Sequence, residues 1–303
     1  MPAGRFAPSP TAPLHLGNLR TALLAWLFAR SSHSGFVLRF EDLDPAASFE
    51  RHGQGQLDDL AALGLDWDGP VTRQRDHPER FAAAIDRLET AGSTYPCWCS
   101  RAEVRRATVA PHGVGVSPAG AYPGTCRNLS AAARAERAAL GRPPALRLRA
   151  DGAVVTVVDR LCGPVTAVVD DLVLRRNDGV AAYNLAVVVD DAAQRIGEVV
   201  RGDDLLSSTP RQVHLARLLG IEPPTYAHVP LVLGPDGQRL AKRDGAVTLA
   251  ERRARGESPV EVRSWLAASL GLARAGESPS LDELVDRFDP DALSRRPWRL
   301  HPT

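Results

Sequence analysis

Three prolines separate a short apolar strand from the first apolar helix, and they constrain the fold more than any other feature. Residues 5–18 read RFAPSPTAPLHLGN, and an apolar helix is expected over about 19–30. Because proline lacks a backbone N–H, it does not fit a central strand or a helix interior. The segment between the strand and the helix is therefore predicted to be a loop.

His15 and Gly17 lie where this helix is expected to begin. Unpaired backbone N–H groups and the positive end of the helix dipole converge there, which favours binding of a phosphate group. Glycine has no Cβ, so a ligand can approach its backbone closely. A lone histidine at a helix start is more often a cap or a surface residue, so the prediction of a site depends on the whole run.

A second apolar strand, residues 35–42, follows the helix and ends in an acidic cluster that includes Glu41. A strand, a helix and a strand of this length form a parallel βαβ unit. Ligands of open parallel sheets bind beyond the carboxyl ends of the strands. We therefore expect Ser9, His15 and Glu41 at one edge of the sheet. The alternative for the acidic cluster is a solvated turn.

Composition indicates a globular protein, since 303 residues with 44% apolar and 24% charged residues can bury a sizeable core. The net charge of +1 gives no overall argument for nucleic-acid binding. No signal sequence and no apolar run long enough to span a bilayer is visible, which predicts a cytoplasmic protein without a membrane partner. Its four cysteines should then remain reduced.

Three of these cysteines form a pattern typical of a metal site: a tight pair, Cys97 and Cys99, and the more distant Cys126. Three thiolates suit a tetrahedral zinc ion that needs one further ligand. His112 and Tyr122 are both candidates for the fourth position. The alternative is a set of ordinary buried or surface cysteines. Cys162 lies outside the pattern and is expected in the core.

Arginine supplies almost all positive charge, and Lys242 is the only lysine of the chain. Lysine and arginine are not equivalent beside a phosphate, so its retention favours a specific role. Two other cations, Arg5 and Arg201, are each expected near the end of a strand. Together they suit a small dicarboxylate, because arginine pairs bidentately with carboxylates. Taken singly, each arginine is better explained as a surface residue.

The runs described above resemble the glutamyl branch of the class I aminoacyl-tRNA synthetases. Residues 5–18 resemble the first class I signature, known as HIGH, with Asn18 at its last position. Residues 39–45 (RFEDLDP) and 189–212 resemble the glutamyl enzymes closely. Residues 239–245 (RLAKRDG) resemble a degenerate second signature, known as KMSKS.

This resemblance implies an α/β fold: a class I synthetase Rossmann-like parallel sheet, an inserted zinc-binding and acceptor-type subdomain, and a short C-terminal helical region. The implied halves of the catalytic domain are residues 1–94 and 181–238. The insert, with an antiparallel β region, would occupy residues 95–180. The KMSKS-like loop and the helical region would occupy residues 239–303.

The matching positions also imply the site residues. Glutamate would be held by Arg5, Phe6, Ala7, Pro8, Ser9, Glu41, Tyr183 and Arg201. ATP, which carries Mg²⁺, would be held by His15, Gly17, Asn18 and Lys242. His15 and Lys242 would be the catalytic residues, acting on the charge that builds on the phosphoryl oxygens.

Within this branch, the Cys-x-Cys and Tyr-x-x-x-Cys runs are similar to the zinc-binding insert of the glutamyl-queuosine tRNA(Asp) synthetases. That similarity favours Tyr122 over His112 and implies one structural Zn²⁺ held by Cys97, Cys99, Tyr122 and Cys126. Nothing in the sequence matches the helical anticodon-binding domain of a full glutamyl enzyme, which agrees with the same family.

The resemblance therefore implies that a monomer activates L-glutamate with ATP as glutamyl-adenylate and transfers it to queuosine in tRNA(Asp). Two alternatives remain. One is a shortened glutamyl-tRNA synthetase that charges the 3′ end of a tRNA. The other is a non-catalytic relative that binds tRNA or an amino acid.

Overall fold

The computed structural model describes residues 2–44, 49–109, 121–238, 240, 247–274 and 276–300. The helices are α1 (Leu16–Ser31), α2 (Gln54–Ala62), α3 (Pro78–Thr90), α4 (Arg101–Val109), α5 (Ala131–Ala139), α6 (Tyr183–Ala193), α7 (Thr209–Leu218), α8 (Leu249–Ala254), α9 (Pro259–Ala268) and α10 (Leu281–Arg287). The strands are β1 (Ala3–Phe6), β2 (Gly35–Phe40), β3 (Thr72–Arg73), β4 (Thr94–Cys97), β5 (Ala145–Leu148), β6 (Val154–Asp159), β7 (Gly163–Val168), β8 (Val173–Arg175), β9 (Glu198–Gly202), β10 (Thr225–Val229), β11 (Val232–Leu233) and β12 (Trp298–Arg299). Within these ranges, no helix is both long enough and apolar enough to cross a membrane.

The central sheet is parallel, as expected, apart from its last strand. Strands β1, β2 and β3 pair in parallel, and so do β9, β10 and β6. A parallel bridge between Ala3 and Ile196 joins the two groups. The resulting order is β3-β2-β1-β9-β10-β6-β7, with β7 antiparallel to β6. The chain order reverses between β1 and β9, and a ligand crevice is expected at such a reversal.

The β region between the two halves of the sheet divides in two. Strands β4, β5 and β8 form a small antiparallel sheet of their own. The hairpin β6–β7 instead pairs with β10 and extends the central sheet. The division at residues 95–180 therefore stays a prediction, and the hairpin inside it belongs structurally to the second half of the sheet.

Local signals placed most elements, with some differences. The sequence predicts a helix from Tyr183 to about Ala193, and helix α6 spans Tyr183–Ala193. Helix α1 begins three residues earlier than expected because His15 is its cap. The apolar run over 229–233 predicts one strand, but Pro230 interrupts it and the structure has two, β10 and β11. The apolar spacing over 49–63 predicts one helix, which in the structure starts with a π-helical turn, Phe49–Gly53.

Helix α1 is almost wholly buried because it lies between the sheet and the C-terminal helices. It contacts β1 and β9 on one side and α10 on another. The rings of Phe28 and Phe288 meet edge to face there, with their centroids 5.1 Å apart. This contact ties the C-terminal region to the helix that carries His15.

We expect Phe288→Ala to lower the free energy of unfolding by roughly 3–4 kcal/mol, because it removes a buried ring and leaves a cavity beside Phe28. Urea unfolding followed by circular dichroism measures the change. Leu140→Ala is the matched control, since Leu140 is 73% exposed and its loss should change stability by under about 0.5 kcal/mol. Equal stabilities of the two variants would contradict the packing described here.

Candidate active site and cysteine cluster

A cleft of about 690 Å³ lies at the carboxyl ends of β1, β2 and β9, where the strand order reverses. It brings together all but one of the residues predicted for the small-molecule site. Those lining it are Arg5, Phe6, Ala7, Pro8, Ser9, His15, Gly17, Asn18, Glu41, Tyr183 and Arg201. Lys242 lies outside the described residues. The role of each residue stays a prediction, while their placement around one cavity is a property of the fold.

His15 both caps helix α1 and lines the cleft. Its Nδ1 accepts a hydrogen bond from the backbone N–H of Asn18 at 3.1 Å, and the Asn18 side chain accepts one from the His15 backbone at 3.2 Å. Because Nδ1 is an acceptor, a neutral His15 ring carries its proton on Nε2. The cap and the site prediction are therefore compatible, since capping fixes the ring and leaves Nε2–H as a donor.

Gly17 is required for the position of the His15 ring. A Cβ added at Gly17 would lie 2.9 Å from Cε1 and 3.0 Å from Nδ1 of His15, closer than carbon side chains approach such atoms. The sequence predicted that this glycine gives a ligand access to the backbone. In the structure, its absent side chain also makes room for the capping imidazole.

The chain returns to the cleft just after the KMSKS-like run. Val247 and Thr248 both line the cavity, and the Val247 carbonyl accepts a 2.6 Å hydrogen bond from the N–H of Leu16. Thr248 also forms an antiparallel bridge with His15. Val247 and Thr248, which follow the run, are therefore held against the start of α1.

Buried charges flank the cleft on the side of β1 and β2. Asp191 of α6 lies 3.5 Å from Arg5 Nε and 2.7 Å from Arg39 Nη2. Arg39 Nη2 also lies 3.6 Å from a carboxylate oxygen of Glu41. Two guanidinium groups are thus partly neutralised by carboxylates in a region that excludes water.

The pKa values of Asp191 and Glu41 are shifted in opposite directions. Burial alone would raise the pKa of Asp191, but Arg39 and Arg5 outweigh it and lower that pKa. Burial raises the pKa of Glu41, and Arg39 and Arg5 offset only part of the increase. A cationic ligand beside Glu41 would therefore stabilise its carboxylate form.

Arg201 is held on three sides at the end of β9. Its Nε donates to His228 Nε2 at 3.0 Å, and its Nη2 donates to Thr209 Oγ1 at 3.0 Å and to Gln212 Oε1 at 2.8 Å. Within the described residues, its Nη1 is buried and has no hydrogen-bond partner. A buried donor without a partner is costly, so this atom suits a ligand acceptor.

Several residues around the cleft carried no sequence signal for a site. Gln56, Thr248 and Glu251 line it although they lie in helices α2 and α8 or, for Thr248, at the cap of α8, where the sequence shows no ligand-binding pattern. His228 supports Arg201 from 27 positions away in the chain, and Asp159 supports His228 from 69 positions away. Spacing along the chain cannot reveal partners that meet only after the sheet has formed.

The predicted metal ligands also converge. The Sγ atoms of Cys97, Cys99 and Cys126 lie within 4.8 Å of one another. The Tyr122 hydroxyl lies 3.3 Å from Cys97 Sγ and 3.5 Å from Cys99 Sγ. A tetrahedral zinc ion holds its sulfur and oxygen ligands at about 2.0–2.3 Å, which places the ligands roughly 3.5–3.8 Å apart. The four side chains therefore fit such an ion.

Tyr122 is held firmly in this cluster. Its hydroxyl accepts a 2.9 Å hydrogen bond from the backbone N–H of Cys126, and its own N–H donates to Asp170. The Arg147 guanidinium lies 3.6 Å from the centroid of its ring. His112, the other candidate, lies outside the described residues. Cys162 lies outside the cluster and is exposed, so its expected place in the core was wrong.

Comparison with known proteins agrees with this architecture. Residues 3–298 match the family of class I tRNA synthetases (E and Q), catalytic domain. A glutamyl-Q tRNA(Asp) synthetase of Nocardia farcinica is 60% identical over 98% of this chain and 93% of its own length. One from Symbiobacterium thermophilum is 46% identical over 99% of this chain and 96% of its own length.

A crystal structure shares the fold as well. The glutamate tRNA ligase of Elizabethkingia meningosepticum, solved with its amino acid, superposes with a TM-score of 0.83 at 27% identity. The match covers 98% of this chain and 66% of that ligase. The chain therefore spans about two thirds of the length of that enzyme.

We expect Asp191→Asn to lower the free energy of unfolding by roughly 3 kcal/mol at neutral pH, because it leaves Arg5 and Arg39 buried without their shared carboxylate. The pKa of Asp191 is depressed in the folded protein, so its contribution is present above the unfolded value of about 3.9 and is lost as pH falls below it. Urea unfolding at a series of pH values should show the gap to wild type narrowing there.

Asp286→Asn is the matched control for this substitution, because Asp286 is exposed on α10. Its stability should follow that of wild type at every pH. A gap between Asp191→Asn and wild type that stayed constant into the acid range would contradict the ion pairs described.

Proposed function

The chain belongs to the family of class I tRNA synthetases (E and Q), catalytic domain, and we propose that it activates L-glutamate with ATP and transfers the glutamyl group to queuosine in the anticodon of tRNA(Asp). The observation that carries this proposal is the convergence of Arg5, Glu41, Arg201 and His15 on one cleft. The names of the relatives at 60% and 46% identity supply the choice of acceptor.

The polar groups of the cleft suit the three charges of glutamate. Arg201 offers a buried Nη1 without a partner among the described residues, and Arg5 lines the same cavity. These guanidinium groups would pair with the two carboxylates. Glu41, whose pKa is raised by burial, would pair with the ammonium group and be stabilised as a carboxylate by it. Tyr183 closes one side of the cavity.

Activation needs positioning and charge stabilisation rather than a protein nucleophile. A carboxylate oxygen of glutamate attacks the α-phosphorus of ATP, a new P–O bond forms, and the bond to pyrophosphate breaks. His15 Nε2–H at the start of α1 would donate to phosphoryl oxygens as their charge grows. Lys242 would supply a cation from the loop that rejoins the cleft at Val247. Mg²⁺ carried by the nucleotide would shield the phosphate charges.

The distribution of positive charge along the chain supports a tRNA partner. Residues 95–150 contain nine arginines and two glutamates and no lysine or aspartate, although the whole chain has a net charge of only +1. The exposed Arg101, Arg134 and Arg142 have no ion pair within the described part of the chain. Helix α5 of this segment buries none of its residues. Exposed arginines of this kind suit a phosphate backbone.

Zinc would complete the cysteine cluster. Cys97, Cys99, Tyr122 and Cys126 would hold one ion, which would tie β4 to the segment that leads into α5. The buried side chains of Trp98 and Tyr95 pack with these four residues. This core is small, so the ion would supply stability that a larger core would otherwise provide.

We expect Lys242→Ala to reduce glutamate-dependent ATP–pyrophosphate exchange on the order of a hundredfold, with little change in KM for glutamate. The lysine is assigned to the transition state, so its loss should act on kcat. Arg243→Ala is the matched control, since it removes a neighbouring cation of the same run. Equal losses in kcat and in glutamate affinity would contradict the assignment of Lys242 to the transition state.

We expect the purified protein to contain about one zinc ion per chain, and Cys126→Ser to lose it. Inductively coupled plasma mass spectrometry gives the metal content, and thermal unfolding reports the loss of stability. Cys162→Ser is the matched control because it changes the one cysteine outside the cluster. If both variants kept the same zinc content as wild type, the ligand assignment would be wrong.

The acceptor is tested with labelled glutamate and two forms of tRNA(Asp), one with queuosine and one with guanosine in its place. A third substrate carries queuosine but lacks the 3′-terminal adenosine. We expect label on both queuosine-bearing tRNAs and none on the guanosine form. Label that required the terminal adenosine and ignored queuosine would indicate a shortened glutamyl-tRNA synthetase. Binding of tRNA without pyrophosphate exchange would indicate a non-catalytic relative.

A further inference from the structure

We propose that Asp159 and His228 are positioning residues, which hold the Arg201 guanidinium in the orientation that binds the substrate carboxylate. The inference deepens the proposed function and rests on it, because it takes glutamate as the ligand of Arg201. Neither residue lines the cleft, and neither belongs to a run that resembles a synthetase signature.

The three side chains form one buried line of hydrogen bonds. Asp159 Oδ2 lies 2.6 Å from His228 Nδ1, and His228 Nε2 accepts from Arg201 Nε at 3.0 Å. All three residues are at most 5% exposed. The ring of Tyr226 lies nearly parallel to that of His228, with 13° between the planes and 6.0 Å between the centroids.

The line has only one consistent arrangement of protons. Arginine Nε always carries a hydrogen, so His228 Nε2 must be the acceptor. A neutral His228 therefore carries its proton on Nδ1 and donates it to Asp159. Burial and Arg201 lower the pKa of His228, against the opposite effect of Asp159, so the neutral ring is favoured. Hydrogen bonds from His228 and from the backbone outweigh burial and lower the pKa of Asp159 to about 2.

Asp159 is itself fixed by the backbone. It ends strand β6 and accepts hydrogen bonds from the N–H groups of Leu161, Cys162 and His228. One carboxylate thus connects the hairpin that begins with β6 to Arg201, through the ring of His228. Its register against β10 sets where the His228 ring lies, because Asp159 pairs with Tyr226 two residues before His228.

These hydrogen bonds occupy two of the three guanidinium nitrogens of Arg201. Its Nε is committed to His228, and its Nη2 is committed to Thr209 and Gln212. Only Nη1 is left without a partner among the described residues. Without His228, the side chain could rotate about its last bonds, and part of the binding free energy would be needed to restore its orientation.

Two substitutions at His228 separate its two hydrogen bonds. His228→Gln can place an acceptor near the position of Nε2, whereas His228→Asn can keep the donor to Asp159 but cannot reach Arg201. We expect KM for glutamate to rise roughly ten- to hundredfold in His228→Asn and clearly less in His228→Gln, since a hydrogen bond to a charged group is lost only in the former. KM for ATP should stay unchanged in both.

Asp159→Asn tests the other end of the line. The amide nitrogen would face His228 Nδ1 as a donor, so the imidazole proton should move to Nε2 and oppose Arg201 Nε–H. We expect a rise in KM for glutamate similar to that of His228→Asn. Pyrophosphate exchange gives both KM values, and thermal unfolding shows whether each variant is folded.

A merely structural role would lower kcat and stability but leave the two KM values in their original ratio. Equal rises in KM for glutamate in His228→Gln and His228→Asn would also overturn the proposal, because the acceptor would then be irrelevant.

A direct readout does not depend on activity. Nitrogen-15 NMR of the imidazole rings reports which nitrogen carries the proton, and the His228 signals are assigned among the eight histidines by their loss in His228→Gln. We expect Nδ1–H in wild type and Nε2–H in Asp159→Asn. Nε2–H in wild type would overturn the proposal.

Different results would contradict the proposed function and the positioning role of Asp159 and His228. A wild-type protein without glutamate-dependent exchange would contradict the proposed function, and the NMR result would then decide the hydrogen-bond line alone. An active wild type with unchanged glutamate KM in His228→Asn and Asp159→Asn would contradict only the positioning role.

Discussion

Pairing of buried arginines with acceptors that hold them in place is the interaction on which the rest of the site depends. A guanidinium cannot lose its charge, so it can be buried only where carboxylates, carbonyls or rings compensate it. Asp191 does this for Arg5 and Arg39, and His228 does it for Arg201. The cleft therefore presents cations whose positions are fixed before any ligand arrives, which lowers the cost of binding a small anion.

The sheet topology determines which arginines can meet. Arg5 is in β1 and Arg201 in β9, and these strands are neighbours only because the chain order reverses between them. Parallel strands place their carboxyl ends at one edge, so both side chains reach the same cavity as the start of α1. The helix in turn is held in place by β1, β9 and the C-terminal Phe288. Helix α1 thus contributes both to the cleft, through its first turn, and to the packed core.

Much of the fold could be predicted because its signals are local. Prolines, apolar periodicity and helix starts placed α6 within its observed bounds and α1 within three residues. The motif residues of the cleft could also be named, because each lies in a short run with a recognisable pattern. Predictions were wrong where one local sequence pattern is compatible with two structures. The apolar run over 229–233 became two strands, and Cys162 is exposed although its type favours burial.

By itself, the sequence determined which residue types are available and where the chain must turn, since proline, glycine and helix caps act over a few residues. It also indicated three thiols in a pattern typical of a metal site, whereas the preference for Tyr122 as the fourth ligand came from the family resemblance. Only the tertiary structure decided that the β6–β7 hairpin joins the central sheet and brings Asp159 to His228, 69 positions away. Such contacts depend on strand register and burial, which are settled by the packing of the whole sheet and leave no spacing in the sequence to detect.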